Sequence, residues 1–208
     1  QIEAFELLAA YGVPVPKIAQ IAADGDVAAA AKKIGFPCVL KVDSNEVVHK
    51  SDAGGVQLNI KDEAALAAAF KSMRDKFAGA KATFIAMEQK PVGREVIIGL
   101  SEAPGLGALV MFGLGGIFVE VMKDVIFGVS PLSKPEAAEM IRGIKGAPIL
   151  EGVRGEKGVD LPALEDLLCR ASRLAADFPS IVEMDLNPIF TYPAGTAPAA
   201  VDVRLRIR

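Results

Sequence analysis

Apolar positions recur at helical spacing over the opening residues, where Ile2, Phe5, Leu8 and Ala9 share one side before Gly12, Pro14 and Pro16 forbid continuation. A strand follows at residues 18–22. After an Asp24-Gly25 turn, residues 27–34 predict an alanine-rich helix, closed by Gly35-Phe36-Pro37. Residues 38–42 are apolar except for Lys41 and predict a buried strand, and residues 56–60 alternate as another. Asp62 is placed to cap a helix over residues 63–77, with Leu66, Phe70, Met73 and Phe77 on one face.

Beyond a strand at residues 84–89, the stretch from Glu88 through Gln89, Lys90, Pro91, Val92, Gly93 and Arg94 to Glu95 carries Pro and Gly and reads as a connector. It divides the chain into lobes at residues 1–90, which include the leading helix, and 91–208. In the second lobe strands are predicted near residues 96–100, 108–112, 117–122 and 126–129. Ser133 and Glu136 form a capping box for a helix through Arg142. Gly143, Gly146, Gly152, Gly155 and Gly158 make the next stretch a long loop, and Asp160 caps a helix over residues 161–178. Two closing strands, 181–190 and 200–205, alternate acid and amide groups with apolar ones, so Asp185, Asn187 and Asp202 are expected to project toward one face.

Composition narrows the classes. With 208 residues and a hydrophobic fraction of 51%, the chain can bury a sizeable core. A net charge of −3 gives no basic bias toward nucleic acid. The uncharged run over residues 105–119 is shorter than the ~20 residues a membrane crossing needs, so no membrane association is expected. Cys38 and Cys169 lie far apart, outside any metal-ligand spacing, and a cytoplasmic protein with reduced thiols is the expectation. The start lacks both a signal-peptide pattern and an initiator methionine, and reads as a piece of a longer polypeptide.

Candidate chemistry gathers around the single histidine, in Val48-His49-Lys50-Ser51-Asp52-Ala53-Gly54-Gly55-Val56. The glycines let successive N–H groups point at an anion, and a neutral imidazole can accept a phosphoryl group. An ordinary exposed loop histidine is the other reading. Lys41, charged inside an apolar strand, either snorkels to the surface or meets an anion. Asn187 and Asp202 suit a hard cation that takes few oxygen ligands from protein and the rest from water and phosphate; they equally suit a turn and a solvated strand. Gly113-Leu114-Gly115-Gly116-Ile117-Phe118 lacks the third glycine and the following helix of a dinucleotide site.

In combination, the strand lysine, the histidine and glycine loop, the Glu88 to Glu95 connector and the closing Asp185-Leu186-Asn187-Pro188 with a later aspartate resemble the ATP-grasp fold. That resemblance implies an α/β (α+β) architecture: two lobes with mostly antiparallel sheets, packed helices and a nucleotide cleft between them. More closely, the His49 loop, residues 113–121 and residues 184–188 resemble the beta subunit or beta-like domain of NDP-forming acyl-CoA synthetases, with the succinyl-CoA synthetase beta subunit a more distant relative.

The resemblance further implies ATP or ADP with Mg2+ as cofactors. Lys41 would contact the nucleotide phosphates, together with Ser51, Gly54 and Gly55. Glu88 and the backbone from Gln89 to Val92 would face the base, Glu95 the ribose hydroxyls, and Asn187 and Asp202 the metal. His49 would carry the phosphoryl group. A CoA-binding alpha subunit or domain, through which a small carboxylic acid and acyl-CoA are handled, is the implied partner, and a homo-oligomer is compatible with it. Two rivals stand beside this reading. One is an acyl-CoA-synthetase-like regulatory module of a protein lysine acetyltransferase; the other is a carboxylate–amine ligase, which would need no histidine intermediate.

Overall fold

Helix α1, Ile2–Ala10, buries Ala4, Phe5 and Leu8, as its spacing predicts. Its allegiance differs from the expectation. In the computed structural model, which describes residues 1–22, 25–44, 53–116 and 123–208, Glu3–Val15 belongs to one compact unit with Pro91–Arg208, and Pro16–Lys90 forms another. The leading helix therefore does not join the first lobe. Long-range pairs explain this: Ala200 N–H donates to Pro14 O at 3.0 Å, and the Tyr11 hydroxyl donates to Asp177 at 2.9 Å. The Tyr11 ring also meets Phe178 edge-on, with centroids 5.8 Å apart.

The Pro16–Lys90 unit is a four-stranded antiparallel sheet in the order β1-β4-β2-β3, made of β1 (Ile18–Ile21), β2 (Cys38–Asp43), β3 (Val56–Ile60) and β4 (Thr83–Glu88). The nearly continuous apolar run of β2 suits its central place, with neighbours on both edges. Helix α2 (Val27–Ile34) starts where Asp26 accepts Ala28 N–H at 2.8 Å, and α3 (Glu63–Lys76) where Asp62 accepts Ala65 N–H at 2.8 Å. Ile21, Ile34, Leu40, Leu66, Phe70 and Phe84 fill the core they share with the sheet.

The other unit holds a six-stranded antiparallel sheet in the order β10-β8-β5-β6-β7, with β9 also paired to β8. Its strands are β5 (Arg94–Ala103), β6 (Gly107–Leu114), β7 (Val125–Val129), β8 (Ile181–Thr191), β9 (Ala199–Ala200) and β10 (Val203–Ile207). Helices α4 (Lys134–Gly143) and α6 (Leu161–Asp177) pack on it, with a short α5 (Ala147–Glu151) between them. The expected capping box opens α4, Glu136 accepting Ser133 N–H at 2.8 Å. Buried Ser172 ties α6 to the segment before α4, its hydroxyl accepting Leu132 N–H at 2.7 Å. Val96, Ile98 and Leu100 of β5, Val110 and Phe112 of β6, and Met184 and Leu186 of β8 are buried, alternating with residues of the opposite face.

Three local expectations change. The glycine-rich stretch after α4 is not one long loop, because Pro148 stands in the first turn of α5, where a missing N–H costs nothing. The last strand is two, β9 and β10, separated by Val201 and Asp202. The strand expected over residues 117–122 lies outside the described residues. No described helix is long and apolar enough to cross a membrane.

Phe5 is fully buried, so Phe5→Ala should cost about 3–5 kcal/mol. Amide exchange should then accelerate first in β8 and β9. Acceleration confined to β1–β4 would contradict the placement of α1.

Candidate functional site

Strand β8 is paired on both edges, and the two edges disagree. Toward β10, Val203 stands opposite Leu186 and Arg204 opposite Asp185; toward β9, Ala200 stands opposite Ile189. These runs keep one register, so Asp202 falls opposite Asn187 and Val201 opposite Pro188, where Val201 N–H donates to Pro188 O at 3.1 Å. On the other edge, β5 pairs Ile98 with Leu186 but Val96 with Ile189, which leaves Ile97 facing Asn187 and Pro188 together. That is a β-bulge, and the Asn187–Pro188 peptide within it is cis.

Residues two apart on a strand, and residues opposite one another on antiparallel strands, face the same way. Asp185, Asn187 and Asp202 therefore share the face away from buried Met184 and Leu186. One oxygen of Asp202 accepts from Gln1 Nε2 at 2.5 Å. Burial pushes the Asp185 carboxyl above its ordinary value; Arg204 draws it down, while the charges of Asp202 and Glu183 push it further up. The donors are an amide oxygen and carboxylates, which suit Mg2+. Among the described residues no group of three or more His, Cys, Asp or Glu is placed to hold a metal ion.

Glu95, Ile97 and Gly99 alternate to one side of β5, and Gly99 stands opposite Asp185, so Glu95 looks out on that same face. The turn after β6 presses on it. Gly115 N–H donates to Glu95 O at 2.8 Å. A Cβ on Gly115 would lie 2.8 Å from Glu95 Cβ, and one on Gly116, whose φ is +63, would lie 2.9 Å from Glu95 Oε2. These glycines thus serve close approach to an acid. A cavity of about 410 Å3 opens here, lined by Glu95, Leu114, Gly115, Gly116 and Ile149, with Gly93 and Arg94 at its edge. The Arg94 guanidinium is engaged by Glu156 and by Lys157 O, both at 2.9 Å.

In the Pro16–Lys90 unit, Lys41 is half-buried between buried Leu40 and Val42 and stands opposite Val56. Val42 N–H donates to Gly55 O at 2.8 Å, so the ladder brings Gly55 beside the lysine. Gly54 holds a left-handed φ of +66. Glu88 accepts Lys17 N–H at 3.1 Å and Lys90 Nζ at 2.9 Å. Gln89 is committed to the sheet: its N–H donates to Pro37 O at 3.2 Å, and its side chain exchanges hydrogen bonds with Asn59 at 2.6 and 2.7 Å. Its carbonyl is the part that could serve a base. Val92, in the other unit, is 81% exposed. His49 and Ser51 lie outside the described residues.

Sequence reasoning placed Asp185 on the face without giving it a role, and missed Ile149, hidden in a stretch read as loop.

The chain belongs to the ATP-grasp domain family, which matches residues 1–207. It is 44% identical over 208 residues to the beta subunit of ADP-forming acetate–CoA ligase I of Pyrococcus furiosus, covering 98% of this chain and 89% of that one. It is 42% identical to ADP-forming 4-hydroxybutyrate–CoA ligase of Nitrosopumilus maritimus, of which it spans 30% while 98% of this chain is covered. Acetyl-coenzyme A synthetase 1 of Candidatus Korarchaeum cryptofilum, solved with coenzyme A and Mg-AMPPCP and with its phosphohistidine segment pointing towards the nucleotide binding site, superposes with a TM-score of 0.88 at 40% identity. That match covers 100% of this chain and 92% of the other.

Burial pushes the Glu88 carboxyl up, but the hydrogen bonds from Lys90 and from Lys17 N–H outweigh it and leave the group below its ordinary value. The unfolded chain then binds this proton more tightly than the folded one. The stabilisation is present above the ordinary carboxylate pKa and lost as pH falls through the depressed one. Glu88→Gln should flatten the acid limb of urea-unfolding stability between about pH 3 and pH 6, by less than ~1 kcal/mol for a pair this accessible. An unchanged acid limb would contradict the assignment.

Proposed function

We propose that this chain is the nucleotide-binding part of an ADP-forming acyl-CoA synthetase, which interconverts acid, CoA and ATP with acyl-CoA, ADP and phosphate, and that His49 carries the phosphoryl group. The observation that carries the reading is the placement of Asn187 opposite Asp202, on the face that Glu95 also shares. Sequence similarity to ligases along the chain supports it, and favours it over the regulatory module.

Asn187 and Asp202 would hold Mg2+, whose charge supports the phosphate oxygens as the terminal group transfers. Lys41 would offset phosphate charge, and the Gly54-Gly55 backbone would supply N–H donors. Glu95 would accept from the ribose hydroxyls. Glu88 and the carbonyl of Gln89 would accept from an adenine amino group, and Val92 would flank the base. The neutral His49 imidazole attacks the terminal phosphorus, the bond to the ADP oxygen breaks, and a phosphoramidate results. The charge set fixes geometry; the histidine makes the bond.

The acyl-transfer half would belong to a CoA-binding alpha partner. This chain spans 89% of a relative that is itself called a subunit, and 30% of a single-chain ligase. A separate alpha subunit or a fused alpha domain would each supply it.

Incubation with Mg2+ and γ-³²P-ATP tests the reading. The wild-type protein should take up an acid-labile, base-stable label that maps to His49. His49→Ala should take up none while still binding ATP, and Asp202→Asn should label more slowly. Equal labelling of His49→Ala, or no label on the wild type with an alpha partner supplied, would overturn the carrier role.

A further inference from the structure

Asp124, at the entry to β7, is 8% exposed, and among the described residues its carboxylate accepts from a distant turn. Oδ1 accepts Lys145 N–H at 2.8 Å, and Oδ2 accepts Gly146 N–H at 2.6 Å. A buried carboxylate with both oxygens bonded costs little; freeing those two amides would cost their desolvation.

From that turn the connection runs straight to the Glu95 cavity. Ile149 N–H donates to Gly146 O at 2.9 Å, and Ile149 is a cavity wall. The packing leaves no slack on the way. A Cβ on Gly146 would lie 2.9 Å from Leu114 Cγ, the neighbouring wall, and 3.3 Å from Asp124 Oδ2. A Cβ on Gly113 would lie 2.8 Å from Asp124 O. The end of β6, the start of β7 and the turn before α5 therefore interlock at near-contact distances, with Asp124 as the polar pin.

We propose that Asp124 is a positioning residue for the nucleoside end of the nucleotide, holding Ile149 and Leu114 at the spacing that lets Glu95 meet a ribose. The proposal rests on the reading of the Glu95 cavity as the nucleoside site. Asp124 touches no ligand itself. It acts through the Lys145-Gly146 turn, so its loss widens or collapses the cavity without removing any ligand-binding group. Asn at this position keeps the shape but turns one acceptor into a donor aimed at a backbone N–H.

Calorimetric titration of the full chain with Mg·ATP tests this, using wild type, Asp124→Asn, Gly146→Ala and Glu95→Ala. Asp124→Asn, which misplaces the cavity walls, should raise Kd about tenfold at unchanged stoichiometry. Gly146→Ala, which disturbs the same junction from its other side, should do the same. A merely structural role would instead lower the stoichiometry while the remaining sites keep wild-type affinity, and that result overturns the proposal, as does loss of the fold in both junction variants. If Glu95→Ala weakens ATP binding but both junction variants bind as wild type, the positioning role alone fails. If Glu95→Ala binds as wild type, the nucleoside reading fails and takes the proposal with it.

Discussion

A proline that cannot join its ladder interrupts the sheet where the proposed metal ligands stand. Pro188 has no N–H to give to either neighbour of β8, and at that place the pairing with β5 slips by a residue while the run along β9 and β10 keeps its register. The slip leaves Asn187 exposed on the face away from the helices. The gap between β9 and β10 leaves Asp202 opposite it, outside regular strand. On the other face Val96, Ile98, Met184 and Leu186 stay buried, so the helices keep a continuous apolar surface to pack on.

Close backbone approach does the corresponding task a few residues away. Glu95 is crowded by Gly115 and Gly116, and Leu114 by Gly146, so segments distant in sequence meet where a glycine leaves room for a neighbour's side chain. Such junctions resist small adjustments, since interiors packed at this density have little free volume to absorb them. A carboxylate proposed to meet a sugar, and a cation proposed to meet phosphates, would gain from that stiffness. Phosphoryl transfer asks the protein for position and charge more than for covalent chemistry of its own.

Much of this was legible in the sequence where the signal is local. The caps at Asp62, Ser133 and Asp160 lie within a turn of what they bond, and the apolar run of β2 and the alternation of β3 and β8 are visible in single windows. Asn187 and Asp202 were legible as donors, and their shared face followed from alternation. What stayed hidden depends on partners far along the chain. Nothing in residues 1–15 announces Asp177 or Ala200, so α1 was given to the wrong unit. The glycines around Pro148 masked α5. Asp124 has no neighbours in sequence that mark it, because its partners lie at Lys145 and Gly146. The glycines at 113–116 were set aside as a dinucleotide loop; the space that Gly115 and Gly116 save is against Glu95, and that of Gly113 against Asp124 and Val125.

The central claim is that the interrupted edge of β8 holds a divalent cation between Asn187 and Asp202. Mn2+ shares the oxygen preference and octahedral habit of Mg2+ and scatters anomalously. Crystals of the chain grown with ADP and Mn2+ should show an anomalous peak within coordinating reach, about 2.0–2.3 Å, of the Asn187 amide oxygen and the Asp202 carboxylate. A manganese peak bound elsewhere on the chain, with both side chains clear of it, would contradict the account.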